Sequence, residues 1–261
     1  LSVLSTAVWS GNMIGYVIGG ILVDRFGYTV AFLLCSILYW VAGLVLFFVK
    51  EDFKPQISTE KSPKKKGRFQ FERPVMLMLI LFFVVSFLRN LEAPYLAVLT
   101  GNLVGDNKAA FWTGIISAVA AAGGILAGVI FGYFTDRCKP MQLLTPALLI
   151  FGAMLLMQGA ANSIALLIIA RFFAFMAIGG VEPVLQTMLS KMTPEAKRAS
   201  VFGYMISARN TGLILSSLFA GGIIYFTGVR GVFYVSAAAF WLLVPIMSRY
   251  INNICRVKKL Y

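Results

Sequence analysis

Histidine does not occur anywhere in the 261 residues, which excludes histidine-based catalysis, a histidine zinc site and a histidine proton relay. Charge of either sign is also scarce. Asp, Glu, Lys and Arg together make up 13% of the chain, against about 25% in ordinary soluble domains. Cysteine is limited to Cys35, Cys138 and Cys255, which fall in an apolar run, a short basic loop and a basic tail. None has metal-ligand spacing, so all three are expected to be free thiols. There is no nucleotide-binding loop, no metal-ligand cluster and no nucleophile arrangement. Neither an enzyme nor a cofactor is therefore expected.

What the chain has in abundance is apolar sequence. Apolar residues account for 59% and the mean hydropathy is +0.85, more than a soluble fold of this length could hide. Crossing a bilayer takes about 20 apolar residues. Eight such runs can be read, at roughly 2–22, 30–49, 74–97, 111–134, 142–160, 164–188, 201–226 and 232–251. The first lacks the basic start of a signal peptide and reads as a span. The expected fold class is all-α polytopic membrane protein with eight transmembrane helices.

The net charge of +13 could suggest nucleic acid. The position of the charges rejects it, because they lie in short loops between apolar runs rather than on one face. Alternate loops share seventeen Lys and Arg, including Lys50, Lys64, Lys65, Lys66, Arg137, Lys191 and Arg249, whereas the opposite loops carry only Arg25, Lys108 and Arg230. By the positive-inside rule the basic side is cytoplasmic. Both ends of the chain are then cytoplasmic, in a cell membrane of the bacterial inner-membrane type. The one long polar segment, 51–73, reads as a basic cytoplasmic linker.

An internal repeat organises the spans. Gly19-Gly20-Ile21-Leu22, Phe26-Gly27-Tyr28 and Ala31-Phe32 recur as Gly221-Gly222-Ile223-Ile224, Thr227-Gly228-Val229 and Val232-Phe233, about 201 residues later. Spans 1–2 therefore correspond to spans 7–8. A period of six spans is the mark of transporters built from two homologous bundles. The expected division is 1–50 as the last two helices of a first bundle, 51–73 as linker and 74–261 as a six-helix second bundle with a cytoplasmic tail. The first residue, Leu1, fits a chain numbered from the fifth helix of twelve, with the preceding helices missing.

These residues resemble the major facilitator superfamily, and within it the twelve-helix drug:proton antiporters. Gly11, Gly15, Gly19 and Gly20 resemble the antiporter motif of the family's helix 5, with Tyr16 where proline is usual. The first three line one helix face and invite close packing of a neighbour. Gly20-Ile-Leu-Val-Asp24-Arg25-Phe-Gly27 matches the family's signature cytoplasmic loop letter by letter. Taking it as that loop would put 50–73 outside the cell, so it is read as an external turn without a gating role. The cytoplasmic gating loop implied by the resemblance is Gly132, Asp136 and Arg137, although Cys138-Lys139-Pro140 departs from the usual ending. Leu167 to Arg171 with Gly179-Gly180-Val-Glu182-Pro183 resembles helix 10, and Arg198 through Gly222 resembles helix 11.

An ionised side chain at mid-membrane costs at least about 2.5–3.5 kcal/mol, so each one needs a partner or a purpose. Arg89 and Glu92 stand at i, i+3 and suit an intrahelical ion pair. Arg171 and Glu182 lie eleven residues apart, almost on one face, and Arg209, with Asn210, lies about two turns into the seventh span. Glu182, then Glu92, are the candidates for proton coupling. Asn90, Tyr95, Gln186 and Asn210 are candidate cavity residues, with Phe111, Trp112, Phe172, Phe173, Phe175, Met176 and Met188 as an adaptable apolar lining suited to lipophilic or cationic drugs. The resemblance implies export of amphiphilic compounds, with a small-molecule substrate, protons and the lipid bilayer as partners. A metabolite transporter and a truncated, non-transporting membrane module stay open as alternatives.

Overall fold

The computed structural model describes residues 2–48, 73–105, 108–135 and 137–258. The linker 51–73 thus lies outside the described residues but for its last residue, as does Asp136. Eight α-helices form the described chain, with no β-strand among them: α1 Ser2–Phe48, α2 Arg73–Asn90, α3 Leu96–Val104, α4 Ala109–Thr135, α5 Pro140–Gly159, α6 Ile164–Ile178, α7 Val181–Met192 and α8 Glu195–Lys258. By length and composition, six stretches can cross a membrane, some of them spanning two consecutive helices.

The two longest helices are each two rods. At about 1.5 Å per residue a straight 47-residue helix would reach ~70 Å, more than twice a ~30 Å hydrocarbon core. Gly27 breaks α1 with φ 78°, ψ 173°, and Gly228 breaks α8 with φ 73°, ψ 175°. Only glycine adopts this backbone at low cost. The two positions are 201 residues apart and belong to the repeat read in the sequence, so the repeated letters encode a repeated turn.

Two of the expected continuous spans are interrupted instead. Pro94 lacks the N–H that would continue the ladder to Asn90, and it disfavours helical backbone at Ala93. The chain responds with a short 3-10 turn, Ala93–Tyr95, closed by the Tyr95 N–H donating to the Glu92 carbonyl at 3.0 Å. Gly179 and Gly180 separate α6 from α7, just ahead of Pro183, where helix propensity is lowest. The second break is also pressed from outside. A Cβ at Gly179 would come 2.9 Å from the Ala127 Cβ, and Gly180 lies against the Phe131 ring.

Close approach of backbones decides where helices touch. A Cβ at Gly123 on α4 would meet the Phe172 carbonyl oxygen of α6 at 2.5 Å, and one at Gly212 on α8 would meet the Phe83 carbonyl of α2 at 2.6 Å. The α1–α4 contact sits at Gly20, where an added Cβ would lie 3.0 Å from the Ala110 oxygen, and at Gly114, where it would lie 2.5 Å from the Tyr16 oxygen. Gly11, Gly15 and Gly19, the expected packing stripe, face open space among the described residues. Of the four glycines of that motif, Gly20 is the one that makes the close contact with α4. Asp24 supports the same contact, its Oδ2 accepting the Phe111 N–H at 3.0 Å. This places a negative charge over the unsatisfied donors that open α4.

The α5–α8 interface is filled by large side chains. Phe151 and Phe240 meet edge to face at 4.7 Å, and the Trp241 indole donates to the Leu149 carbonyl at 3.2 Å while its ring covers Gly152. Beyond Gly27, by contrast, α1 is exposed at almost every described position, with Tyr39 at 81% and Phe47 at 90%. Gly123→Ala should lower stability by about 1–3 kcal/mol through overpacking. Gly128→Ala, which meets nothing within 4 Å, should be neutral. Thermal unfolding in detergent checks this, and equal melting shifts for the two variants would refute it.

Candidate functional site: a charged cavity between broken helices

The two helix interruptions face a common cavity of about 500 Å³. Trp9, Asn12 and Tyr16 of α1 form one wall, and Thr113 and Ser117 of α4 another. Ser86, Arg89 and Asn90 enter from α2, Glu92 from the first break, Arg171 and Phe175 from α6, Glu182 from α7, and Arg209 and Asn210 from α8. All five intramembrane charges singled out in the sequence therefore meet in one place.

Their pairing differs from the expectation. Arg89 and Glu92 do not pair along their helix, because the turn after Asn90 swings Glu92 away. Glu92 is paired with Arg171 of α6 at 2.7 Å, with side chains 2% and 5% exposed. The same Arg171 Nη1 donates to Gln158 Oε1 of α5 at 3.0 Å. Nor do Arg171 and Glu182 stack on one face, since the Gly179–Gly180 break lies between them. Glu182 starts α7, where the helix dipole favours a carboxylate. Its Oε1 accepts from Arg209 Nη1 at 2.7 Å, and its Oε2 lies 3.7 Å from Arg89 Nη1.

The result is two layers. The Glu92–Arg171–Gln158 layer is dry and ties the first break to α5 and α6. The Arg89–Glu182–Arg209 layer is open, with side chains 22%, 25% and 40% exposed, and ties α2, α7 and α8. Phe175 touches a cation of each layer. The Arg171 guanidinium lies 4.8 Å from its ring centre and that of Arg89 5.5 Å, so the electron-rich ring is flanked by two cations. Trp9 takes the Arg89 guanidinium at 5.8 Å, extending the site to α1.

Of the expected cavity residues, Asn90 and Asn210 line it. Asn90 also folds its amide back to the Ser86 carbonyl at 2.8 Å. Tyr95 and Gln186 are not on the lining, although Gln186 Nε2 reaches Glu182 Oε1 at 3.4 Å. Among the proposed apolar liners only Phe175 faces the cavity. Phe111 and Trp112 pack on one another at the start of α4, and Phe172 packs on Phe173. Trp9, Asn12, Ser86, Ser117 and Gln158 were missed, yet each polar one is a hydrogen-bonding side chain within an apolar run. In the expected gating loop, Gly132 and Arg137 are exposed. Arg137 donates to the Tyr133 hydroxyl and stacks over that ring at 4.0 Å. Among the described residues, no group of three or more Cys, Asp or Glu could hold a metal ion.

A helical bundle with several membrane-crossing stretches and a charged central cavity defines a multi-pass membrane protein of the transporter type. The sequence model of the Major Facilitator Superfamily matches residues 1–157 and again 109–254, and the chain belongs to that superfamily. It is 30% identical over 246 residues to the uncharacterized MFS-type transporter YuxJ of Bacillus subtilis, which covers 92% of this chain and 63% of that protein. It is 28% identical over 241 residues to the multidrug resistance protein MdtG of Salmonella typhimurium, covering 91% and 60% respectively. The chain thus spans less than two thirds of the length of these relatives. The relatives bear transporter and drug-resistance names, and none of them is named as an enzyme.

Removing one partner of the dry pair strands a buried charge. Glu92→Met or Arg171→Met alone should each cost about 3–5 kcal/mol, and the double replacement much less than their sum. Unfolding of the four proteins in detergent measures this coupling, and additive losses would show that the two groups are independent.

Proposed function

We propose that this chain belongs to a secondary active transporter that exports amphiphilic compounds by alternating access, with protons as the coupling ion. The single observation that carries the reading is Glu182, which bridges guanidiniums on two other helices at the wall of a water-accessible cavity. A carboxylate so placed holds α2, α7 and α8 together while ionised. Protonation cancels its charge and releases Arg89 and Arg209, so proton occupancy and helix arrangement are linked through one side chain. Glu92 is the second candidate, deeper and tied to Arg171. Two interrupted helices facing the cavity support the same reading, because discontinuous helices commonly build transporter sites. The drug-resistance names of the MdtG relatives favour amphiphilic compounds over metabolites.

The membrane arrangement proposed is eight crossings. The halves of α1 and of α8 each count once, and α2 with α3 and α6 with α7 count as single interrupted spans. Both ends of the chain then lie in the cytoplasm, as the distribution of Lys and Arg supports. Residues 1–50 close a first bundle, 51–73 link, and 74–261 form the second. The projecting second half of α1 fits a helix belonging to a different bundle.

The test is efflux from cells expressing the protein, loaded in turn with an anilinonaphthalene sulfonate, its uncharged phenylnaphthylamine parent and a trimethylammonium analogue. At least one probe should be extruded in a protonophore-sensitive manner. Glu182→Gln should reduce that component by about tenfold, in the range of ordinary coupling energies. Protonophore-insensitive movement of all three probes, or unchanged coupling in Glu182→Gln, would refute the proposal.

A further inference from the structure

The cavity's charges do not balance, and the imbalance selects a class of substrate. Among the described residues, three guanidiniums and two carboxylates line it. The dry layer is internally neutral, since Arg171 and Glu92 are paired at 2.7 Å. In the open layer two guanidiniums share one carboxylate, Arg209 at 2.7 Å and Arg89 at 3.7 Å from Glu182. One positive charge is therefore left over where the cavity is open to an incoming molecule. A cleft with low-dielectric walls focuses such a charge onto whatever enters, and an excess charge within a bilayer calls for a counter-ion.

We infer that the site takes amphiphilic anions, compounds with one carboxylate, sulfonate or phosphonate on an aromatic or aliphatic body, and disfavours the cationic compounds that an aromatic lining alone would suggest. The anionic head sits between Arg209 and Arg89, whose planar forks match oxyanion geometry. Asn210, next to Arg209 in the chain, lines the same cavity, and its amide can donate to a remaining oxygen. The apolar body lies toward Trp9, Tyr16 and Phe175. The Phe175 ring already lies within 5.5 Å of two guanidiniums, so a cationic ligand placed against it would meet like charge.

The inference rests on the transporter reading for its biological role, but its test is a binding measurement that needs no transport. Equilibrium dialysis of the three naphthyl probes against the protein in lipid nanodiscs, with empty discs subtracted, gives their relative affinities. The sulfonate should bind at least about tenfold more tightly than the uncharged parent, as expected for hydrogen bonds to a charged group. Arg209→Gln should erase that preference and Arg209→Lys should retain most of it. Glu182→Gln, which adds to the positive excess, should strengthen sulfonate binding. Opposite signs for Arg209→Gln and Glu182→Gln separate an electrostatic role from a structural one, which would weaken both. An unchanged far-ultraviolet circular dichroism spectrum of each variant shows that the helices are intact.

Equal binding of sulfonate and parent by the unmodified protein overturns the inference, as does loss of sulfonate binding in both variants. Sulfonate preference without protonophore-sensitive efflux leaves the inference standing and removes the transport reading. Protonophore-sensitive extrusion of the trimethylammonium probe, with the sulfonate neither bound nor moved, does the reverse.

Discussion

An ionised side chain cannot stand alone in hydrocarbon, and the arrangement of this bundle follows from how five of them are accommodated. Each pairing crosses between helices: Glu92 to Arg171, and Glu182 to Arg209 and Arg89. A pair within one helix would satisfy the charges and leave the helices free. A pair between helices satisfies them only while the helices keep their places. The electrostatic requirement therefore acts as a positional constraint on α2, α6, α7 and α8 together. The breaks turn Glu92 and Glu182 out of their own helical stacks and toward partners elsewhere.

Two kinds of contact surround this centre, and they differ in rigidity. At Gly20–Gly114, Gly123–Phe172 and Gly212–Phe83, backbone meets backbone with no side chain between. At the α5–α8 interface, interlocked rings such as Phe151 and Phe240 fill the space. Glycine contacts allow helices to shift across one another with little repacking, whereas interlocked rings resist it. The glycine contacts border α1, α4, α6, α2 and α8, five of the helices that line the cavity. The ring-packed contact lies behind them and also carries Gln158, which steadies Arg171 at 3.0 Å. The two interfaces thus differ in how readily their helices can shift.

The character of the cavity changes once its charges are located. An inventory of aromatic and Met residues suggests a soft lining for cations, but only Phe175 among those candidates faces the cavity. The remainder pack between helices or face outward, where lipid would lie. Three guanidiniums against two carboxylates then govern the site's electrostatics, and the small polar side chains of Asn12, Ser86 and Ser117 set its hydrogen bonding.

Much of the fold was legible in the chain because lipid imposes simple rules. Apolar length marks the crossings, and the Gly27 and Gly228 turns were readable as a repeat because only glycine tolerates that backbone. Arg89, Glu92, Arg171, Glu182 and Arg209 were identifiable as candidate site residues by the cost of charge in an apolar run, and they line one cavity. What linear order could not supply was the partner of each charge. Spacing suggested Arg89 with Glu92 and placed Arg171 with Glu182 on one face, but helical periodicity holds only while the helix continues, and Pro94 and Gly179–Gly180 interrupt both stretches. Likewise the run of glycines on α1 was visible, while only the packed helices show that Gly20 is the one of them in close contact with α4. Residue type and spacing determined which groups the membrane would force together; only the packed helices decided which groups met, and left one guanidinium in excess.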